Sequence, residues 1–271
     1  MQTQRYDHMQ FADLAIKNNK LFSVPEIYDL AFSYDIRAEI SNFQGLFADC
    51  LSKHILLPAC GTGRYALGLA EKEHKVKAFD IAPEMIRWAK SKRKHKNIDY
   101  FVADMTIPYN VQNDSFDAVF LLNNSFRYIL NKEHVIQSLK ISNKALKPHG
   151  FYFIEVGLNE KQNAVGSVTQ WQINHGTKKA YIRWVLKNIS ENIATDLVKI
   201  TIESTKHSVV FEEEQLQRIW GFDEICLIFE KTGFKIKSIF DKNFKQIAVD
   251  DFNKIYQQGK YFLIFIKKQK P

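Results

Sequence analysis

The sequence predicts one doubly wound α/β domain interrupted by an antiparallel β cap, and three observations predict it. From His54 onward short apolar runs alternate with amphipathic stretches, the pattern of strand and helix units that assemble a parallel sheet. After Leu158 the alternation gives way to strand-like runs with no helix between them, which pair antiparallel. A helical stretch and two more strands then follow, so the sheet resumes after the interruption.

The elements follow in order. Strands are expected at 54–58, 75–80, 98–103, 117–122 and 150–156, and helices at 64–72, 83–93 and 133–146. Pro83 suits a first helical turn, and Gly150 lies just past the third helix. The cap strands are Thr169–Ile173, Lys179–Leu186 and Leu197–Ser204, rich in Trp, Tyr, Ile and Val. Asp223–Lys231 is then helical, Gly233 ends it, and Lys235–Ile239 and Tyr261–Lys267 bring the main sheet to seven strands. Each crossover is expected to be right-handed. Upstream, Asp13–Ser52 reads as helical segments that cover the sheet's mouth. The division is therefore 1–53 as a helical lid, 54–157 as the ligand-binding core, 158–221 as an inserted cap for substrate, and 222–271 as completion of the core.

Composition narrows the class. With 271 residues, 45% of them hydrophobic, the chain can bury one large core. Met1–Lys20 has no apolar leader segment, and Tyr261–Ile266 is far shorter than the ~18 apolar residues of a membrane span, so a soluble, cytoplasmic protein is expected. Cys50, Cys60 and Cys226 are too few and scattered for a disulfide framework or zinc spacing, so no metal is expected. The net charge of +8 raises nucleic acid as a partner, but the densest basic run, Lys90, Lys92, Arg93, Lys94 and Lys96, ends a helical pattern and reads as a solvated helix end. A homodimer is compatible with the sequence. Glu212, Glu213 and Glu214 read as a solvated helix start, and His175 as an exposed turn residue.

The chemistry concentrates at Ile55-Leu-Leu-Pro-Ala-Cys-Gly-Thr-Gly-Arg64, a buried strand that runs through a glycine turn into a helix. Gly61 and Gly63 let backbone approach a ligand, and the helix offers free N–H groups. Asp80 ends the second strand, where a carboxylate accepts from both hydroxyls of a ribose, and Asp104 ends the third. Three ligand-facing points at the carboxyl ends of adjacent parallel strands define a crevice. Gly61-Thr-Gly63-Arg-Tyr-Ala66 also satisfies the G-x-G-x-x-A form of nicotinamide enzymes. That reading needs a Tyr-x-x-x-Lys pair on a helix; Tyr128–Lys132 and Tyr256–Lys260 fit the spacing only as chance matches.

Pro58–Arg64, Phe79-Asp-Ile-Ala-Pro-Glu-Met85, Ala103-Asp-Met105 and Phe116-Asp-Ala-Val-Phe-Leu-Leu-Asn-Asn-Ser125 together resemble the ordered motif set of class I S-adenosylmethionine-dependent methyltransferases. The resemblance implies a Rossmann-like, seven-stranded methyltransferase sheet with S-adenosylmethionine as cofactor and S-adenosylhomocysteine as product. It places the backbone of Ala59, Cys60, Gly61 and Gly63 along the methionine part and Asp80 on the ribose. Ile81 and Met85 would flank the adenine, Asp104 would take its exocyclic amine, the Met105 backbone would meet a ring nitrogen, and Leu121 and Leu122 would lie beside the sulfonium. Tyr28-Asp-Leu-Ala-Phe-Ser-Tyr-Asp-Ile-Arg-Ala-Glu39 resembles the amino-terminal segment of glycine and sugar-amine N-methyltransferases, which implies Tyr28 as a lid and Arg37 for the cofactor's carboxylate. One position departs: the family usually carries Asp or Glu late in the first strand, and here Leu57 offers no acceptor to the cofactor's ammonium.

The function expected is methyl transfer to a nitrogen or oxygen of a small molecule by in-line displacement. The alternatives are an RNA or protein methyltransferase, or a non-catalytic S-adenosylmethionine-binding protein. The inserted cap favours an enclosed small substrate, for which Tyr34, Asn124, Tyr128, Trp171 and Arg183 are the candidate contacts. The sequence does not single out a catalytic base.

Overall fold

The computed structural model describes residues 20–47, 53–158, 164–205, 208–250, 252 and 259–268. Cys50, Tyr256 and both ends of the expected 13–52 helical segment lie outside the described residues. After a 3-10 turn at Lys20–Ser23 come two short helices, α1 (Pro25–Phe32) and α2 (Arg37–Gly45). The core then alternates β1 (His54–Leu57), α3 (Arg64–Ala70), β2 (Lys75–Asp80), α4 (Pro83–Lys92), β3 (Ile98–Val102), β4 (Phe116–Leu121), α5 (Lys132–Ala145) and β5 (Leu146–Leu158). Pro83 occupies the first turn of α4, and the Asn131 side chain caps α5 by accepting from the amides of Glu133 and His134.

The cap is a four-stranded antiparallel sheet: β6 (Val168–His175), β7 (Lys178–Ser190), β8 (Ile193–Glu203) and β9 (Ser208–Arg218). Helix α6 (Phe222–Lys231) leads back to β10 (Phe234–Phe240), β11 (Gln246–Ile247) and β12 (Gly259–Lys267). The main sheet runs β11-β10-β12-β5-β4-β1-β2-β3, with β1 to β5 parallel neighbours and β12 antiparallel to both β5 and β10. It holds eight strands rather than seven because β11 pairs on the outer edge of β10; two residues are too short to leave a periodic signal.

Side chains alternate across the sheet and build two apolar layers. Leu56, Phe79, Val119 and Ile154 pack with Val135 and Leu139 of α5 and Phe229 of α6. Ile55, Leu57, Phe120 and Phe153 pack with Phe43 of α2 and with Tyr65 and Leu69 of α3. A third layer joins the cap to the lid: Ala180, Ile182, Val198 and Ile200 pack on Leu21 and Ala31, and the Trp171 indole donates to the Ala31 carbonyl at 3.2 Å.

Three surface expectations need correction. Glu212–Glu214 is not a helix start but part of β9, paired along the whole of β8. Three consecutive acids conceal an alternation in which Glu213 turns inward while Glu212 and Glu214 meet Lys199 and Lys187 outside. His175 ends β6 with Nε2 3.0 Å from the Leu30 carbonyl, so it helps dock the cap rather than pointing into solvent. Within the basic run, Arg93 is not solvated. It donates to the Thr62 carbonyl at 2.9 Å and to both Asp29 oxygens, which ties the lid helix to the glycine turn.

Candidate functional site

Two adjoining cavities open at the carboxyl ends of β1, β2 and β3. The larger, about 840 Å³, runs from Ala59, Gly61 and Asp80 past Tyr34, Asn123 and Asn124 to Trp171, Trp184 and Asp196 in the cap. The smaller, about 210 Å³, is lined by Phe79, Ile81, Ala103, Asp104 and Met105, with Ser23 of the lid and His134 of α5 opposite. Ala59, Ile81, Met105 and Tyr128 border both.

The glycine turn is built for close approach. Ala59, Gly61 and Gly63 have φ of 49°, 54° and 85°, the left-handed region that side chains rarely adopt. Ala59 and Gly61 open onto the larger cavity, whereas Cys60 and Gly63 hold the turn in place: the Cys60 amide donates to the Phe79 carbonyl, and Gly63 begins α3. A Cβ on Gly63 would stand 2.5 Å from the Tyr100 hydroxyl, so glycine is required there. Burial pushes the Cys60 thiol well above its usual pKa, keeping it an unreactive thiol.

Asp80 is nearly buried. Its Oδ2 accepts from the Gly61 amide at 2.8 Å and its Oδ1 from the Ala82 amide at 2.9 Å. Burial raises its pKa, while those amide hydrogen bonds oppose the rise. A carboxylate offers about four lone-pair sites, so about two remain for a ligand. Asp104 spends Oδ1 on the Thr106 amide and hydroxyl, each at 2.7 Å; its Oδ2 carries no hydrogen bond among the described residues.

The remaining expected contacts divide. Tyr28 lies half-buried above Gly61 and packs on Phe32 with ring centroids 4.8 Å apart; desolvation of the phenol raises its pKa and keeps it neutral. Tyr34 lines the larger cavity and donates to Asn123 Oδ1 at 3.3 Å. Asn124 accepts from the Gly157 amide at 2.5 Å and has a left-handed φ of 56°. Tyr128 donates to Gln215 and accepts from Gln217, while burial raises its pKa, so its proton is committed to the cap.

Besides Cys60 and Gly63, four expected residues do not reach either cavity. Arg37 is 91% exposed at its side chain and pairs with Asp35 at 2.6 Å, because the short turn before α2 offers that nearer carboxylate. Arg183 is exposed on β7, since the alternation that turns Ile182 and Trp184 inward turns it outward. Met85 is fully buried on the inner face of α4 with Ile86 and Ala89. Leu121, like Leu122, is buried in the apolar core, and the chain reaches the cavity only at the left-handed pair Asn123 and Asn124.

Sequence reading missed the polar groups supplied by distant strands. Glu155 of β5 is buried, its Oε1 3.0 Å from Lys260 of β12 and its Oε2 accepting from the Asn123 amide at 3.1 Å. Burial raises the Glu155 pKa against the pull of Lys260. Asp196 of β8 faces the cap end, where burial also raises its pKa and a hydrogen bond from Trp184 opposes the rise. A lone acid inside an apolar strand, as in Phe153-Ile-Glu155-Val156, is the signal that marks such groups. Among the described residues no group of three or more His, Cys, Asp or Glu side chains is placed to hold a metal ion, and no helix is long and apolar enough to cross a membrane.

Part of the chain is similar to known proteins. Residues 55–150 match the family model described as "Methyltransferase domain". "Putative methyltransferase YqeM" of Bacillus subtilis (strain 168) is 32% identical over 102 residues, 38% of this chain and 41% of that protein. The chain thus spans less than half the length of the curated relatives it matches. Streptomyces venezuelae DesVI superposes with a TM-score of 0.71 at 15% identity, covering 98% of this chain and 100% of that one. CalS10, described as an amino pentose methyltransferase from Micromonospora echinaspora, gives 0.68 at 13% identity over 99% and 100%. At such identities these two likenesses establish the fold. Residues 55–150 are therefore similar to a methyltransferase domain, and the chain shares the Rossmann-like fold of these two solved structures.

Proposed function

We propose that the chain is an S-adenosylmethionine-dependent methyltransferase that moves a methyl group to a nitrogen or oxygen of a small molecule enclosed beneath the cap. The observation that carries this reading is the single cavity that joins Gly61 and Asp80 at one end to Trp171, Trp184 and Asp196 at the other. The residues present fit the cofactor. Asp80 keeps lone pairs for ribose hydroxyls, the apolar slot at Phe79, Ile81 and Met105 suits a purine, and Asp104 Oδ2 suits its amine. Bound there, S-adenosylmethionine supplies an electrophilic methyl on a sulfonium.

The chain's own residues do the rest. Tyr28 and Phe32 of the lid, with Trp171 of the cap, exclude water and hold the acceptor in line. An amine acceptor has to shed a proton before its lone pair is available. Asp196, a carboxylate whose pKa burial raises, stands at the acceptor end to receive it, whereas Tyr128 is spoken for by two glutamines. The likeness to a protein described as an amino pentose methyltransferase supports the same class of acceptor.

The test is a screen of small amines, alcohols, RNA and protein substrates for release of S-adenosylhomocysteine. Turnover with small amines or alcohols, reduced by substitution of Asp196 or Trp171, supports the reading. Turnover confined to RNA or protein contradicts it.

A further inference from the structure

The first strand ends in Leu57, an apolar side chain packed into the core and unable to receive an ammonium. The sheet register brings two charged side chains to the same face. Leu57, Phe120, Phe153 and Phe262 share one apolar layer, and Phe120 pairs with Phe153 while Phe262 pairs with Glu155. Glu155 lies two residues beyond Phe153 and Lys260 two residues before Phe262, so both project from the face that holds Leu57. They stand where that face meets the larger cavity, and both line it together with Ala59, Gly61 and Asp80.

A ring of polar contacts fixes the pair. Lys260 Nζ lies 3.0 Å from Glu155 Oε1 and 3.9 Å from Glu39 Oε1. The Tyr65 hydroxyl donates to Glu39 Oε2, and its oxygen is 3.2 Å from that of Tyr34. Tyr34 donates to Asn123 Oδ1, and the Asn123 amide donates to Glu155 Oε2. The ring is anchored to the glycine turn, because Tyr65 follows Gly63 by two residues at the start of α3. Glu155 is a buried carboxylate and Lys260 only half-buried, and such a pair adds little to stability once desolvation is counted, so its place on a cavity wall leaves room for another role. Two carboxylates and one ammonium beside a backbone cradle present one site for a positive group and one for a negative group at short range, which is the charge pattern of an α-amino acid.

We infer that Lys260 and Glu155 seat the amino acid arm of the adenosyl cofactor, Lys260 receiving its carboxylate and Glu155 its ammonium in place of an acid at position 57. This rests on the reading of the cavity as an adenosyl site. It also replaces Arg37, which points into solvent, as the cation for the carboxylate.

The test compares two ligands by calorimetry on the intact chain: S-adenosylhomocysteine, and 5′-methylthioadenosine, which keeps the adenosine and thioether but has no amino acid arm. Lys260→Met and Glu155→Gln are each expected to weaken S-adenosylhomocysteine by about 10-fold or more, the loss of one charge-assisted hydrogen bond. Both are expected to leave 5′-methylthioadenosine within about twofold, which also reports that the variants fold. Lys260→Arg keeps the cation and is expected to retain most of the affinity. Equal losses for the two ligands, or no loss for either, would overturn the assignment. A wild-type protein that binds neither ligand overturns the adenosyl reading itself, and this inference with it.

Discussion

The carboxylate of Asp80 accepts a hydrogen bond from the Gly61 amide at 2.8 Å, so the end of the second strand and the glycine turn after the first are one unit. Its other oxygen binds the Ala82 amide and orients the start of the helix that follows. Asp80→Ala leaves both amides without that acceptor and is expected to cost about 1–3 kcal/mol of stability. It also removes the proposed ribose contact, so affinity for S-adenosylhomocysteine is expected to fall by about 100-fold, measured by titration below the melting transition. Unchanged affinity would contradict the placement of the ribose.

Gly63 makes the turn possible. A Cβ there would meet the Tyr100 hydroxyl at 2.5 Å and Ala89 Cβ at 3.1 Å, at a φ of +85°. Gly63→Ala is expected to destabilise the protein by about 1–3 kcal/mol from overpacking, with backbone strain in addition. Urea denaturation checks this, and Tyr100→Phe in the same chain is expected to recover part of the loss by removing the obstructing hydroxyl.

Arg93 couples the lid to the site. It reaches both Asp29 on α1 and the Thr62 carbonyl in the turn, and it is 14% exposed at its side chain against 20% for Asp29. Arg93→Ala is expected to cost about 1.5–3 kcal/mol, as loss of hydrogen bonds to a charged group. It is also expected to raise hydrogen exchange in α1 more than in α5. Equal exchange in the two helices would show that the pair does not restrain the lid.

His74 should make stability depend on pH. Its Nδ1 accepts from the Lys53 amide at 3.2 Å, and Nε2 lies 2.8 Å from Gln44 Oε1, a pattern that requires the neutral ring. Burial lowers its pKa below the usual 6.5, with Lys53 acting in the same direction. The folded state therefore binds fewer protons than the unfolded chain, and this contribution is present above 6.5 and lost as pH falls through the folded-state value. The denaturation midpoint is expected to fall from about pH 7.5 to about pH 5, with a shallower slope for His74→Gln, which can keep both hydrogen bonds.

Much of this architecture is local and therefore legible in the sequence. The three strands from His54 to Val102 are short runs that lead into a glycine turn or an acid, and Ala59, Gly61, Asp80, Ile81, Asp104 and Met105 meet at their ends because parallel strands place successive loops on one edge. Arg37 and Arg183 went astray because their side-chain directions depend on a nearby carboxylate and on strand phase. Met85 and Leu121 differ again: both lie in regular elements whose inner faces belong to the core. Glu155 and Lys260 meet only when β12 enters antiparallel beside β5, a pairing that no local pattern encodes. The inner face of β9 is polar, with Glu213, Gln215 and Gln217 turned inward, so hydrophobic alternation could not reveal it.

The most direct measurement is calorimetric titration of the purified chain with S-adenosylmethionine, S-adenosylhomocysteine and NADH. Binding of both adenosyl ligands at about micromolar affinity, and none of NADH, is the result expected of an adenosyl site. Binding of NADH with failure of both adenosyl ligands would contradict it.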